Sequence, residues 1–302
     1  MALTHVPARA RGGPPSSGPQ RAASTARRAA QVTAATAGRL TWRARMQPSF
    51  LIAGAQRCGT TSLYRALSQH PAVVKAVLHK GVHYFDVGYH HGPGWYLGHF
   101  PLQATGRRAA GDAAMTFESS PYYLFHPLAA GRIARDLPGV RIIVLIRDPV
   151  ERAYSAHAHE LARGYETGTF EQALALEAGR LAGEEARLTA DPGYASHSHQ
   201  HHAYRGRGRY AEQLERLTAA VGRDHIHVVD SADFFYRPEP AYDAVLGFLG
   251  LPHRGYPVFE RHNARPRTAA LPGSLWAELD DYFRPHDERL AAWLGTTPSW
   301  RR

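Results

Sequence analysis

The chain has 302 residues, of which 44% are apolar and 21% charged, and its formal net charge is +10. Length and composition fit one large or two small domains of a globular protein. No run of 18 apolar residues exists, so no membrane span is expected. The single cysteine, Cys58, rules out an intramolecular disulfide and suits a reducing, cytoplasmic compartment.

Charge is unevenly distributed. Eight arginines (Arg9, Arg11, Arg21, Arg27, Arg28, Arg39, Arg43 and Arg45) lie in residues 1–45, which contain no Asp or Glu. The same stretch is rich in Ala, Ser, Gly and Pro without apolar periodicity. It reads as a disordered basic tail ahead of a domain over residues 46–302. A transit peptide is the alternative for such a composition. With the excess charge confined to the tail, no nucleic-acid partner is expected.

In chain order, Phe50-Leu51-Ile52-Ala53 predicts a buried parallel strand ended by Gly54. A helix follows from Thr60 to Gln69, closed by His70-Pro71. "VRIIVLI", Val140 to Ile146, is the strongest strand signal. Pro149 then sits in the first turn of a helix running to Arg163. Residues 164–202 read as a helix and a long loop. A helix over Arg209–Val221, a strand over His225–Asp230, and helices over Pro240–Leu249 and Gly273–Leu294 complete the pattern. Strands alternating with helices predict an α/β, P-loop-like three-layer fold with a central parallel sheet flanked by helices.

Two stretches carry chemistry. "LIAGAQRCGTTS" nearly spells the nucleoside-triphosphate loop G-x-x-x-x-G-K-[ST], from Gly54 to Gly59, but Thr60 stands where the lysine belongs. Backbone N–H groups at a helix start bind anions. Gly59 lets the backbone approach, Thr60, Thr61 and Ser62 add hydroxyls, and Arg57 supplies a cation. A ligand-free glycine turn is the structural alternative. The second stretch is "IRDPVERAYS". It places Arg147 at the carboxyl end of a strand, where α/β sheets bind ligands, and Ser155 two helical turns on. The missing lysine and the absent acidic strand end argue against triphosphate–Mg²⁺ chemistry and for two anion sites.

Together, "FLIAGAQRCGTTSLYRALSQHP" and "IIVLIRDPVERAYSAHAHE" resemble sulfotransferases that use 3′-phosphoadenosine-5′-phosphosulfate (PAPS). "GVHYFD", "GWYLGHF", "FESSPYYLFHP", "GRYAEQLERL", "VLGFLGLP" and "PHDERLAAWL" extend the likeness over residues 48–300. The resemblance is strongest to the carbohydrate branch, with heparan sulfate N- and 3-O-sulfotransferase domains and their bacterial relatives. It implies that the first loop, including Gly54, Gln56 and Cys58, wraps the 5′-phosphosulfate, with Arg57 at a position usually held by Lys. It implies further that Arg147 and Ser155 bind the 3′-phosphate, that Arg265 and Arg267 in "RHNARPRT" close on the nucleotide, and that Tyr210 packs near the adenine. No metal is required, and the partner is a small-molecule or glycan acceptor.

The family's usual base is a Glu before His-Phe-Phe-Asp. Here Gly81 occupies that place and cannot accept a proton. His83, whose ordinary pKa is about 6.5, and Glu118 are the candidate bases. His79 and Lys80 flank the stretch as possible substrate contacts. The cluster His197, His199, His201 and His202 suits an acceptor-binding loop more than a metal site. The competing function is a nucleotide-binding protein that turns over weakly or not at all because of Gly81.

Overall fold

The computed structural model describes residues 38–262 and 271–302. Its centre is a parallel sheet of five strands: β1 (Phe50–Gly54), β2 (Val73–Lys75), β3 (Met115–Ser119), β4 (Arg141–Ile146) and β5 (Ile226–Asp230). Their order is β2–β3–β1–β4–β5. β1 is buried at all five positions and β4 at five of six, as expected of strands covered on both faces. Phe50 sits opposite Phe117 on one side and Arg141 on the other.

The helices follow the sequence closely where apolar periodicity is long. They are α1 (Thr60–Leu67), α2 (Pro93–Leu97), α3 (Gln103–Ala110), α4 (Ala129–Asp136), α5 (Pro149–Arg163), α6 (Phe170–Leu181), α7 (Glu184–Ala190), α8 (His197–His201), α9 (Tyr210–Val221), α10 (Ser231–Tyr236), α11 (Pro238–Leu249) and α12 (Gly273–Leu294). The stretch read as a helix plus a loop over 164–202 is therefore three helices. α6 begins with a capping box, Thr169 and Gln172 satisfying each other's backbone N–H. A satellite core of Val150, Ala153, Phe170, Leu174, Leu279 and Phe283 joins α5, α6 and α12.

The end of the segment expected to be a tail lies against the domain. Trp42–Ala44 forms a 3₁₀ turn. Arg45 bridges Leu102 and donates to the Phe100 carbonyl at 2.5 Å. β1 and β4 are sheet neighbours whose chain connections leave in opposite directions. Their carboxyl ends form the kind of crevice in which open α/β sheets bind ligands.

Candidate active site

β1 ends at Gly54, and the chain turns through Ala55–Gly59 into α1. Gly59 has φ 91°, and a Cβ there would stand 2.9 Å from the Phe235 ring. Glycine alone therefore suits the position. The turn aims the positive end of α1, with Thr60 and Thr61, at a cavity of about 690 Å³. β4 and α5 contribute Arg147, Glu151 and Ser155 to the same cavity, and β5 and α10 contribute Asp230, Phe235 and Tyr236. Asp148 caps α5, accepting from the N–H groups of Val150 and Glu151 at 2.8 and 3.3 Å. That cap fixes the start of the helix carrying Ser155.

The two stretches singled out in the sequence meet here. Arg57 Nε donates to Ser155 Oγ at 3.0 Å, although 98 residues separate them. Arg147 pairs with Glu151 at 2.9 Å, which holds its guanidinium on the cavity wall. Arg261 and His262, the first residues of the basic loop, also line the cavity. The His262 N–H donates to Ser62 Oγ at 2.9 Å. Arg265 and Arg267 lie outside the described residues.

Gly54, Gln56, Cys58 and Ser62 support the loop and do not line the cavity. Gln56 donates to Glu160 at 3.1 Å. Cys58 is fully buried and its thiol pKa is pushed up by burial, which keeps it protonated and unreactive. Tyr210 is buried too, and its hydroxyl donates to the Arg147 carbonyl at 2.8 Å. Tyr210, expected near the adenine, is not among the residues lining the cavity and braces Arg147 from behind.

Residues 80–86 run beside the loop, zipped to the end of β3, and adjoin the cavity through the Lys80 contacts to Thr60 and Thr61 rather than lining it. Ser119 N donates to the Lys80 carbonyl at 2.8 Å, Val82 N to Glu118 at 3.0 Å, and His83 N to Ser120 Oγ at 2.9 Å. Glu118 is fully buried. Its oxygens also accept from Ser120 and Tyr123, both at 2.6 Å. Burial raises its pKa, but its oxygens are committed to this scaffold and do not reach the cavity. These bonds tie Glu118 to the segment that carries Val82 and His83. His83 keeps 41% of its side chain exposed, and its Nδ1 lies 2.7 Å from Asp86. Burial opposes the imidazolium, yet the hydrogen bond and charge of Asp86 outweigh it and leave the pKa above its ordinary value. Lys80 Nζ reaches Thr61 Oγ1 at 2.8 Å and Thr60 Oγ1 at 3.4 Å.

A family model described as "Sulfotransferase domain" matches residues 47–262. The chain belongs to the sulfotransferase family. The crystal structure of a sulfotransferase from Alicyclobacillus acidocaldarius superposes with a TM-score of 0.64 at 29% identity, covering 85% of this chain and 100% of that one. The human bifunctional heparan sulfate N-deacetylase/N-sulfotransferase 3 is 27% identical over 293 residues, covering 84% of this chain. The membrane-associated sulfotransferase kil1 of Dictyostelium discoideum is 24% identical over 320 residues. The chain spans 31% of the length of the human relative. Among the described residues of this sulfotransferase, no helix is long and apolar enough to cross a membrane.

The donor that the family implies fits this cavity. A helix start with two hydroxyls lies on one side and a guanidinium beside a serine on another, so two separated anions find partners. The rings of Phe235, Tyr236 and Trp300 line the same space and offer faces to a base. The aromatic wall and the Asp230 strand end were not singled out in the sequence. Asp230 ends an apolar strand, as Ile146-Arg147 does, and the same strand-end rule would have found it. No group of three or more His, Cys, Asp or Glu side chains among the described residues is arranged to hold a metal ion. The histidine cluster instead divides. His199 is buried against Tyr122, and His201 pairs with Glu160 at 3.0 Å.

Proposed function

We propose that this sulfotransferase moves a sulfuryl group from PAPS to a hydroxyl or amine of a small-molecule or glycan acceptor, with His83 as the base. The observation that carries the reading is the Arg57–Ser155 hydrogen bond. It joins the α1 anion site to the Arg147 anion site across one cavity, the arrangement that a donor with phosphates at both ends of its ribose requires. The heparan sulfate N-sulfotransferase relatives favour a glycan acceptor.

When bound, the donor supplies the sulfuryl group. Thr60, Thr61 and the α1 terminus would hold its 5′ end, and Arg147 with Ser155 its 3′-phosphate. Arg57 stands where charge gathers at the 5′ end and would stabilise it without reorganising. Asp86 accepts from His83 Nδ1–H, which fixes the tautomer and leaves Nε2 to take the acceptor's proton. Gly81 thus removes one base, while a neighbouring imidazole with a carboxylate behind it remains.

The test is transfer of labelled sulfate from PAPS to a panel of sugars, amines and phenols. Label on an acceptor, lost in Arg57→Ala, supports the reading. PAPS binding without transfer to any acceptor would favour the nucleotide-binding alternative. Preference for ATP with Mg²⁺ would overturn both.

A further inference from the structure

The β1–α1 loop lacks a lysine where nucleoside-triphosphate loops carry one, and Thr60 stands there instead. Its own cation, Arg57, turns its Nε sideways to Ser155. Yet an ammonium is present at that spot. Lys80, from the connection between β2 and β3, places Nζ 3.4 Å from Thr60 Oγ1 and 2.8 Å from Thr61 Oγ1. Both hydroxyls line the cavity.

We propose that Lys80 is a direct ligand of the donor's 5′-phosphate, adding from a second element a cation beside Thr60, where nucleoside-triphosphate loops carry their lysine. The inference rests on the donor assignment made above and adds a residue to it.

Three observations support it. The backbone of Lys80 is held from behind, its carbonyl accepting from Ser119 N at 2.8 Å. The next residue passes so close to β3 that a Cβ on Gly81 would lie 2.5 Å from the Ser119 carbonyl oxygen. Gly81 therefore lets the segment sit tight enough for Lys80 to reach α1. Second, no carboxylate among the described residues lies within ion-pair distance of Lys80. The acid that acts on it electrostatically, Glu118, is saturated by Val82, Ser120 and Tyr123. Third, burial lowers the Lys80 pKa to about 8, and a phosphate beside the ammonium would favour its charged form.

The experiment is calorimetric titration of the full chain and its variants with three probes: adenosine 3′,5′-bisphosphate, 5′-AMP and 3′-AMP. Lys80→Met is expected to weaken the bisphosphate and 5′-AMP by roughly tenfold or more, since a charge-assisted contact is lost. It should leave 3′-AMP within about twofold by the same reasoning. Arg147→Ala should show the reverse pattern, and Lys80→Arg should recover most of the bisphosphate affinity. Melting curves of each variant establish that it is folded. Wild-type binding that Lys80→Met leaves unchanged, or a loss equal for all three probes, overturns the Lys80 assignment alone. Wild-type failure to bind any of the three overturns the donor site and the assignment with it.

Discussion

Arg57 and Ser155 belong to two different motifs, are 98 residues apart in the chain, and meet at 3.0 Å over one cavity. The bond fixes the orientation of the Arg57 guanidinium on the cavity wall. Arg57→Ala removes the loop's own cation and is expected to lower kcat by about 10²–10³, the range for losing one preorganised donor to developing charge. Ser155→Ala is expected to weaken bisphosphate binding by about tenfold, the worth of one hydrogen bond to a charged group. Because the two side chains touch, their effects should be non-additive by at least about 0.5 kcal/mol. A double-mutant cycle on bisphosphate affinity measures this, and strict additivity would show that the bond has no part in binding.

His83 gives a pH signature. A base works in its neutral form, and the pKa of His83 lies above the ordinary 6.5. The acid limb of kcat/KM should therefore lie above pH 6.5, with activity falling as the pH drops through it. In Asp86→Asn the hydrogen bond no longer favours the charged form, and burial, which opposes it, dominates. The limb should move to lower pH. His83→Ala should cost about 10²–10⁴ in kcat, the usual contribution of general-base catalysis. A profile that Asp86→Asn leaves in place would assign the limb to another group.

Much of this architecture was legible. β1, β4 and β5 announce themselves as apolar, β-branched runs, and α12 falls on the expected Gly273–Leu294. β2 and β3 were not read as strands: three residues at a sheet edge carry no periodicity, and Met115–Ser119 mixes Thr, Glu and Ser into a buried strand. Side-chain direction was the harder matter. Glu118 and Tyr210 are the right residue types in suggestive motifs, but the pleat of β3 turns one into the scaffold and α9 buries the other behind Arg147. The meeting of Lys80 with Thr61, like that of Arg57 with Ser155, depends on sheet order, which a local motif does not encode.

Glu118 should behave as a structural residue. Its removal leaves Val82 N, Ser120 Oγ and Tyr123 Oη without their acceptor in a buried setting. Each orphaned group costs about 1–3 kcal/mol. Glu118→Ala is expected to lower the melting temperature sharply, and Glu118→Gln less so. A stable Glu118→Ala that loses only turnover would return Glu118 to the list of bases.

Restoring the family's usual residue at 81 should not restore a base. A Cβ at Gly81 would stand 2.5 Å from the Ser119 carbonyl oxygen and 3.1 Å from Ser120 Oγ. The neighbour below 3 Å is backbone, so the 80–84 segment must shift. Gly81→Ala is expected to destabilise by about 1–3 kcal/mol, as overpacking does, and Gly81→Glu to lower rather than raise turnover by displacing Lys80 and His83. Denaturant unfolding and sulfate transfer on both variants decide it, and a more active Gly81→Glu would contradict the geometry.

The far wall of the cavity depends on a contact between β5 and the 3₁₀ turn Ser299–Arg301. Asp230 accepts from Ser299 N at 3.0 Å and Ser299 Oγ at 2.9 Å, and it also caps α10 through Ala232 N at 2.9 Å. Trp300, beside it, is held by Asp287 at 2.9 Å and lines the cavity. Trp300→Ala should weaken the bisphosphate by about 1–3 kcal/mol if the ring faces the base, the usual worth of base–aromatic stacking. It should weaken ribose 3,5-bisphosphate, which has no base, far less. Asp230→Ala releases both the turn and the cap, so it should combine that loss of affinity with about 0.5–2 kcal/mol of lost stability from the cap alone. Calorimetry with and without the base separates the two effects. Equal losses for both ligands would place the base elsewhere and leave Trp300 as a wall of the phosphate site.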